Sequence, residues 1–416
     1  RLATESIRFG HAHVQVGNCM PSRNVMQTGR YPHTSGVEGF YQIGKPAFPI
    51  LPDLMRENGY FIGIKGKVSH STPYSPYPWD AEMSEGTKVP STYGTFTKDA
   101  IAASQAAGKP FYLIVNVSDP HMPFYAMGKN ATTVPDPNVP SRVFTPEEMV
   151  VPGYLPDEPI VRKELSHYYS SVRRADDSVT ATLAALDASG EAESTVVIFL
   201  SDHGMPFPFA KTNLFHHSTN TPWMVRWPGV VKPGTVDDTH MISAIDFMPT
   251  VLDIVGIPQP EGLQGRSFRP LLEGKPQEER DFVVKEYNEN SGGACHPMRA
   301  IQTRQFCYIF NPWSNGERVF RSATQGMTTY KVMQELAKTD PNAAERLRVF
   351  DLRDVEELYD TQKDPDALRN LANDPEYAKE IERLRGMLEQ WMKDTGDPAL
   401  EAFQKRNDPE ALNAYV

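Results

Sequence analysis

The sequence has little cysteine, no basic excess and no long apolar run. Three cysteines in 416 residues cannot build a disulfide framework. Cys19 stands alone, while Cys295 and Cys307 lie close enough to pair or are two free thiols. Acidic residues outnumber basic ones by 53 to 42, giving a formal net charge of −11. That balance argues against a nucleic-acid partner, whose binders carry a basic face. No membrane partner is expected either. The longest apolar stretches, 111–117 and 195–200, fall far short of the roughly 20 residues a spanning helix needs. No signal-peptide pattern opens the chain, and no internal repeat or low-complexity tract interrupts it.

What is present is ordinary globular material. Hydrophobic residues make up 39% of the chain, enough for a sizeable core. The pattern predicts helices at 50–58, 97–107, 159–188 and 243–255, with short apolar strands at 60–64, 111–117 and 195–200. Gly59, Gly108 and Gly190 are the expected helix stops. Helices alternating with buried strands imply a mostly parallel sheet covered on both faces. After about residue 285 the pattern changes to a hairpin of 298–302 with 306–310, a short strand at 357–359 and a helix at 376–393. The expected organisation is a catalytic domain over 1–290 and a smaller α+β unit over 291–416, with a polar, surface-hugging tail after Pro398.

Four polar clusters stand out. Cys19-Met20-Pro21-Ser22-Arg23 is followed by Thr28-Gly29-Arg30. Gly66-Lys67-Val68-Ser69-His70 follows one predicted strand. Ser118-Asp119-Pro120-His121-Met122-Pro123-Phe124 follows another. Ser201-Asp202-His203-Gly204 ends a third, with Lys211 a short loop later. Each alone has an ordinary use in a turn or loop. Together they collect at strand ends, where ligand groups gather in open α/β sheets. Asp202 offers the oxygen ligand that hard cations prefer, and His203 a softer one.

In order and rough spacing, these clusters resemble the formylglycine-dependent (type I) sulfatase family. Cys-x-Pro-Ser-Arg is the signal by which a sulfatase-modifying enzyme oxidises cysteine to formylglycine. The resemblance runs from Arg1 to about Pro398. It implies an alkaline-phosphatase-like α/β fold with a smaller C-terminal α+β subdomain containing an antiparallel sheet. It also implies sulfate hydrolysis by covalent catalysis, with a formylglycine-sulfate intermediate. One hydroxyl of the hydrated aldehyde attacks sulfur, and the second makes release possible, which a serine could not do. On this basis Cys19, Arg23, Lys67, His70, His121 and Lys211 are the catalytic set. Arg23 braces the formylglycine, Lys67 faces nucleophile and sulfate, His70 is a base and His121 contacts sulfate. Asp202, His203 and the modified Cys19 are the implied ligands of one Ca2+.

Within the family, Pro206-Phe207-Pro208, Thr212-Asn213-Leu214, His296-Pro297-Met298-Arg299 and Glu357-Leu358-Tyr359-Asp360 are similar to the heparan N-sulfatase (sulfamidase) branch. That implies N-sulfoglucosamine at a glycan end as substrate, a sulfated sugar or glycosaminoglycan fragment as partner, and a role in glycosaminoglycan degradation. Arg299 is then expected either to reach over the pocket and grip substrate or to fix the two domains by a salt bridge. The spacing of Lys67 to His70 and the Asp202-His203 pair look more like iduronate-2-sulfatase. An O-sulfate ester therefore stays open, as does a phosphonate or phosphate monoester of the same superfamily. The family carries an Asp-Asp pair upstream that supplies two further calcium ligands, and none precedes Cys19. The expectation is a chain lacking its first strand, with weak calcium binding. The resemblance implies a periplasmic, secreted or lysosomal location and leaves a homodimer open.

Overall fold

The computed structural model describes residues 1–84 and 86–416. Its strands are β1 (Ile7–His13), β2 (Phe61–Lys65), β3 (Ala81–Met83), β4 (Phe111–Val115), β5 (Val197–Leu200), β6 (Trp223–Arg226), β7 (Val236–Ser243), β8 (Phe282–Glu289), β9 (Cys295–Thr303), β10 (Phe306–Phe310) and β11 (Glu356–Asp360). The chain divides into two compact units. Residues 1–43, 197–326 and 333–416 make one, and residues 44–196 with 327–332 make the other.

The first unit holds two four-stranded sheets. One has the order β5-β6-β1-β7, with β1 parallel to β7 and β6 antiparallel to both of its neighbours. β5 and β1 therefore point the same way, and their carboxyl ends share an edge. Val14, Val16, Val25, Trp223, Ile242 and Leu252 build the buried core around it. The other sheet, β11-β10-β9-β8, is antiparallel throughout and includes the expected hairpin, with Tyr308 opposite Ile301 and Leu358. It begins at Phe282, so residue 290 falls between two of its strands.

The second unit holds the sheet β3-β2-β4, parallel throughout. The helix Pro159–Ala188 lies along the helix Pro90–Ala106. The second of these starts seven residues before the predicted Thr97. Ser91, Thr92, Gly94 and Thr95 are poor helix formers, so propensity hides its first turns. Burial of Tyr93 and Phe96 overrides that preference.

Two further differences have physical reasons. Asp246 accepts a hydrogen bond from the Ser243 backbone at 3.1 Å, which tightens 244–246 into a 3-10 turn before the helix Phe247–Val255. The tail is not merely polar. Its helix Leu400–Gln404 buries Phe403 against Tyr308 and Phe310, with ring centroids 6.4 and 5.1 Å apart. Cys19, Cys295 and Cys307 are all free, with Cys295 exposed and Cys307 buried. Among the described residues no helix is long and apolar enough to cross a membrane.

Candidate active site

In the first unit, β1 runs into a short loop that ends at Cys19, the first residue of the helix Cys19–Thr28. Asn18 caps that helix, its side chain accepting from the Cys19 N–H at 3.1 Å. A helix start is a place of partial positive charge, suited to an anion. Cys19 is 3% exposed, so little solvent reaches the sulfur. The Asn18 amide nitrogen and the Ser22 hydroxyl are buried nearby in the chain without hydrogen-bond partners. That leaves polar capacity beside Cys19 which the fold itself does not fill.

One turn further, Arg23 donates from Nε and from a terminal nitrogen to Asp202 Oδ2, each at 2.9 Å. Asp202 follows β5, so the pair ties the Cys19 helix to the end of a strand two places from β1 in the sheet. His203 Nδ1 lies 2.7 Å from the Gly204 carbonyl. With the proton on Nδ1, its Nε2 lone pair faces Asp202 Oδ1 at 3.7 Å. Burial pushes His203 down to about 4, against the pull of Asp202, so the ring is neutral near pH 7. Two lone-pair donors facing each other suit a shared cation. They are nevertheless few beside the six to eight oxygens that calcium takes. The described residues contain one group of three close metal-capable side chains, His33, Glu286 and Asp397, and it lies elsewhere. Asp202 and His203 thus fit one edge of a metal site and do not complete one.

Lys211 lies on the loop between β5 and β6 and is 8% exposed. Its backbone N–H donates to Met205 at 3.1 Å, and the next residue, Thr212, donates to the Gly17 carbonyl at 2.6 Å. The two loops meet so closely that a Cβ on Gly17 would lie 2.3 Å from the Asn213 carbonyl oxygen. Only glycine admits that approach. Cys19, Arg23, Asp202, His203 and Lys211 therefore belong to one unit, on the helix and loop that follow β1 and β5 of one sheet.

The second unit carries the other three candidates. Lys67 follows β2 with φ +49°, and His70 closes the short 3-10 turn Val68–His70. The Asn116 amide, just past β4, donates to the Gly66 carbonyl at 2.8 Å, coupling this loop to the segment that leads to His121. His121 is exposed. Its loop is braced from beneath. Asp119 is bidentate to the buried Arg174, at 2.6 and 3.2 Å, and lies 3.3 Å from Lys88. Lys88 also donates to the backbone carbonyls of His121 and Pro123. Burial lowers the Lys88 pKa, against the pull of Asp119. The sequence reading named neither Lys88 nor Arg174, since their partners are 31 to 55 residues away. The available signal was an arginine in line with Ser170 and Ser178, on the buried side of a long helix. Arg174→Leu should destabilise the protein by about 3 kcal/mol or more, because it strips a buried carboxylate of its main counter-ion. Urea unfolding measures it, and a loss below about 1 kcal/mol would show that Lys88 suffices.

Arg299 is placed differently from a clamp over a pocket. It is fully buried, and its guanidinium is committed to Asp397 at 2.5 and 3.0 Å, with Asn288 and backbone carbonyls taking further donors. Glu286, 3.7 Å from Arg299, also binds His33 Nδ1 at 2.7 Å. Burial leaves no donor of Arg299 facing solvent, so the guanidinium acts as an internal tie from β9 to the segment at Asp397.

Comparison with known proteins adds three findings. A family model described as Sulfatase matches residues 1–257, and one described as N-sulphoglucosamine sulphohydrolase, C-terminal, matches residues 202–316. The N-sulphoglucosamine sulphohydrolase of Homo sapiens is 30% identical, over 95% of this chain and 85% of its own. An ulvan-active sulfatase of Formosa agariphila is 27% identical, over 96% of this chain and 71% of its own. Among solved structures, one in complex with its substrate D-glucosamine-2-N,6-O-disulfate superposes with a TM-score of 0.68. It is 18% identical and aligns over 98% of this chain and 93% of its own, a likeness of fold.

Proposed function

The chain belongs to the sulfatase family, and from that membership we propose that it removes the N-sulfate of a glucosamine residue at a glycan end. It is an enzyme, a hydrolase of sulfate esters or sulfamates. The finer reading rests on one observation. The family model for the C-terminal part of N-sulphoglucosamine sulphohydrolase covers residues 202–316, the stretch that contains Asp202, Lys211 and Arg299.

Sulfatases generally use a formylglycine and a divalent metal. At position 19 the hydrated aldehyde supplies a nucleophilic hydroxyl and, in its partner hydroxyl, a way to release sulfate. The chain's own residues prepare that position. The helix start at Cys19 favours the negative charge of a sulfonyl group. Arg23, fixed by Asp202, holds positive charge one turn along. Lys211 adds a cation on a loop docked against Gly17. By resemblance, Lys67 would face nucleophile and sulfate, His70 would act as a base and His121 would contact sulfate. Such preorganised donors typically contribute about 100- to 1000-fold each in rate. Asp202 and His203 would hold one edge of the metal.

The test is a substrate panel with enzyme whose Cys19 peptide has the mass of formylglycine. The panel is N-sulfoglucosamine, 6-O-sulfoglucosamine, 2-O-sulfoiduronate, an aryl sulfate and a phosphonate monoester. N-sulfoglucosamine is expected to have the highest kcat/KM. Turnover of 2-O-sulfoiduronate alone would refute the N-sulfate reading and make the Lys67–His70 spacing the better guide.

A further inference from the structure

The loop that carries Lys211 is bent in a way its residues disfavour. Phe209 and Thr212 have φ of +69° and +64°, in the left-handed region that side chains avoid. Such backbone persists only where surroundings over-determine it. The surroundings include Arg353, 140 residues further along, itself at φ +57°. Its guanidinium is fully buried and donates to the Asn213 side-chain oxygen at 2.5 Å. The same group is bidentate to Glu357 at 2.7 and 2.6 Å and lies 4.3 Å from the centroid of the Phe215 ring. Glu357 is held in turn by the Tyr359 hydroxyl at 3.1 Å and the Asn311 amide at 3.2 Å. Glu357 takes Nε and one terminal nitrogen, and the other terminal nitrogen finds its oxygen on Asn213, two residues from Lys211. Here that extra bond falls on the residue whose carbonyl presses against Gly17, two positions before Cys19.

We propose that Arg353 is a positioning residue for Lys211. Anchored by Glu357, it grips Asn213 and fixes the Lys211 loop against the backbone that leads to Cys19. The planar fork of arginine suits this, since one edge binds Glu357 while another nitrogen reaches Asn213. Lysine at 353 would keep the charge and lose the fork. This inference rests on the reading that Lys211 acts on the sulfate.

The experiment is a double-mutant cycle on the formylglycine-bearing full chain with N-sulfoglucosamine, combining Asn213→Ala with Lys211→Ala. Melting temperature and the mass of the Cys19 peptide are measured for each variant, to separate misplacement from misfolding and from failed oxidation. Asn213→Ala should lower kcat/KM by about 100-fold, the scale of a small misplacement of a catalytic group. The loss should fall mainly on kcat, because a donor that tightens in the transition state is being misplaced. In the Lys211→Ala background the same change should cost little more, because residues that act through one another are non-additive. Arg353→Lys should repeat the pattern, and if it fails to fold, the Asn213 cycle decides alone. Additive losses, or Asn213→Ala at the parent rate, would overturn the proposal. A Lys211→Ala enzyme at the parent rate would overturn the sulfate role of Lys211 itself, and the proposal with it.

Discussion

Cys19→Ser should abolish steady-state turnover of every sulfated substrate while leaving the fold intact. The site accepts the change sterically. Position 19 starts a helix, is almost fully buried and has its backbone N–H capped by Asn18. Oxygen is smaller than sulfur, and serine is a tolerated residue at a helix start. What is lost is chemical. A serine hydroxyl can make one attack on sulfur, held by the same cations, and then has no neighbouring hydroxyl through which to release sulfate. The expected loss in multiple-turnover rate is on the order of 10^6, the scale on which a hydrolase loses its nucleophile. Binding of N-sulfoglucosamine should survive, since Arg23 and Lys211 are untouched. Intact mass after incubation with substrate should show a serine carrying one sulfate. The measurement is steady-state rate beside that mass, with melting temperature as the control for folding. A serine enzyme turning over within about tenfold of the parent would remove formylglycine from the mechanism.

The fold was legible where pattern is local. The helix expected at 159–188 is found as Pro159–Ala188, and the parallel strands β2 and β4 lie where apolar runs end in polar clusters. These ends are legible because strand edges collect ligand groups in α/β sheets, so motif and topology reinforce each other. The antiparallel run of β6 was not legible. Trp223–Arg226 is four residues long, and direction leaves no mark in a strand that short. Phe403 was also missed, because one aromatic in a charged tail gives no period to read. In the site, Cys19 and its followers were readable as a contiguous motif. The braces were not. Asp119–Arg174, Asn213–Arg353 and Arg299–Asp397 each join residues 55 to 140 positions apart. A buried charge looks, in sequence, like any surface charge. Arg299 shows the cost of that ambiguity, since of a clamp over a pocket and a structural salt bridge, both open in the sequence, it makes the ion pair, with Asp397.

Lowering the pH from 6.5 to 4 should remove several kcal/mol of unfolding free energy, and buried histidines carry the effect, His13, His216 and His217 among them. His13 is wholly buried on β1, its Nδ1 3.1 Å from the Thr219 hydroxyl and its ring edge-on to His216 at 5.4 Å. Burial, then the charges of His216 and the interior Lys285, push its pKa well below 6.5. Burial brings His216 down to about 4 and His217, stacked on Phe215, to about 3. A base whose pKa falls on folding stays neutral in the native state while the unfolded chain takes up a proton below about 6.5. Stability is then complete above that value and drains as pH falls towards the folded pKa. Each such histidine costs up to about 1.4 kcal/mol per pH unit across the window. His203, also brought to about 4, and His167 and His296, lowered by burial, act in the same direction, against a total of about 5–15 kcal/mol. Glu38 and Glu289, whose carboxyls burial pushes up, offset part of the loss. Asp136 and Asp397 are held below the usual carboxylate range by Arg174 and Arg299 against the opposing effect of burial, so their losses come at lower pH. His33 has the opposite sign. Burial opposes its proton, but Glu286 outweighs burial and raises the pKa. Its contribution is therefore full below about 6.5 and fades as pH rises through the raised value, outside the acid window. Urea unfolding at pH 7, 6, 5 and 4 at constant m-value reads the slope directly. His217→Phe, which keeps an aromatic ring beside Phe215, should flatten it. An unfolding free energy that stays level from pH 6.5 to 4 would mean that these rings take up protons in the folded protein.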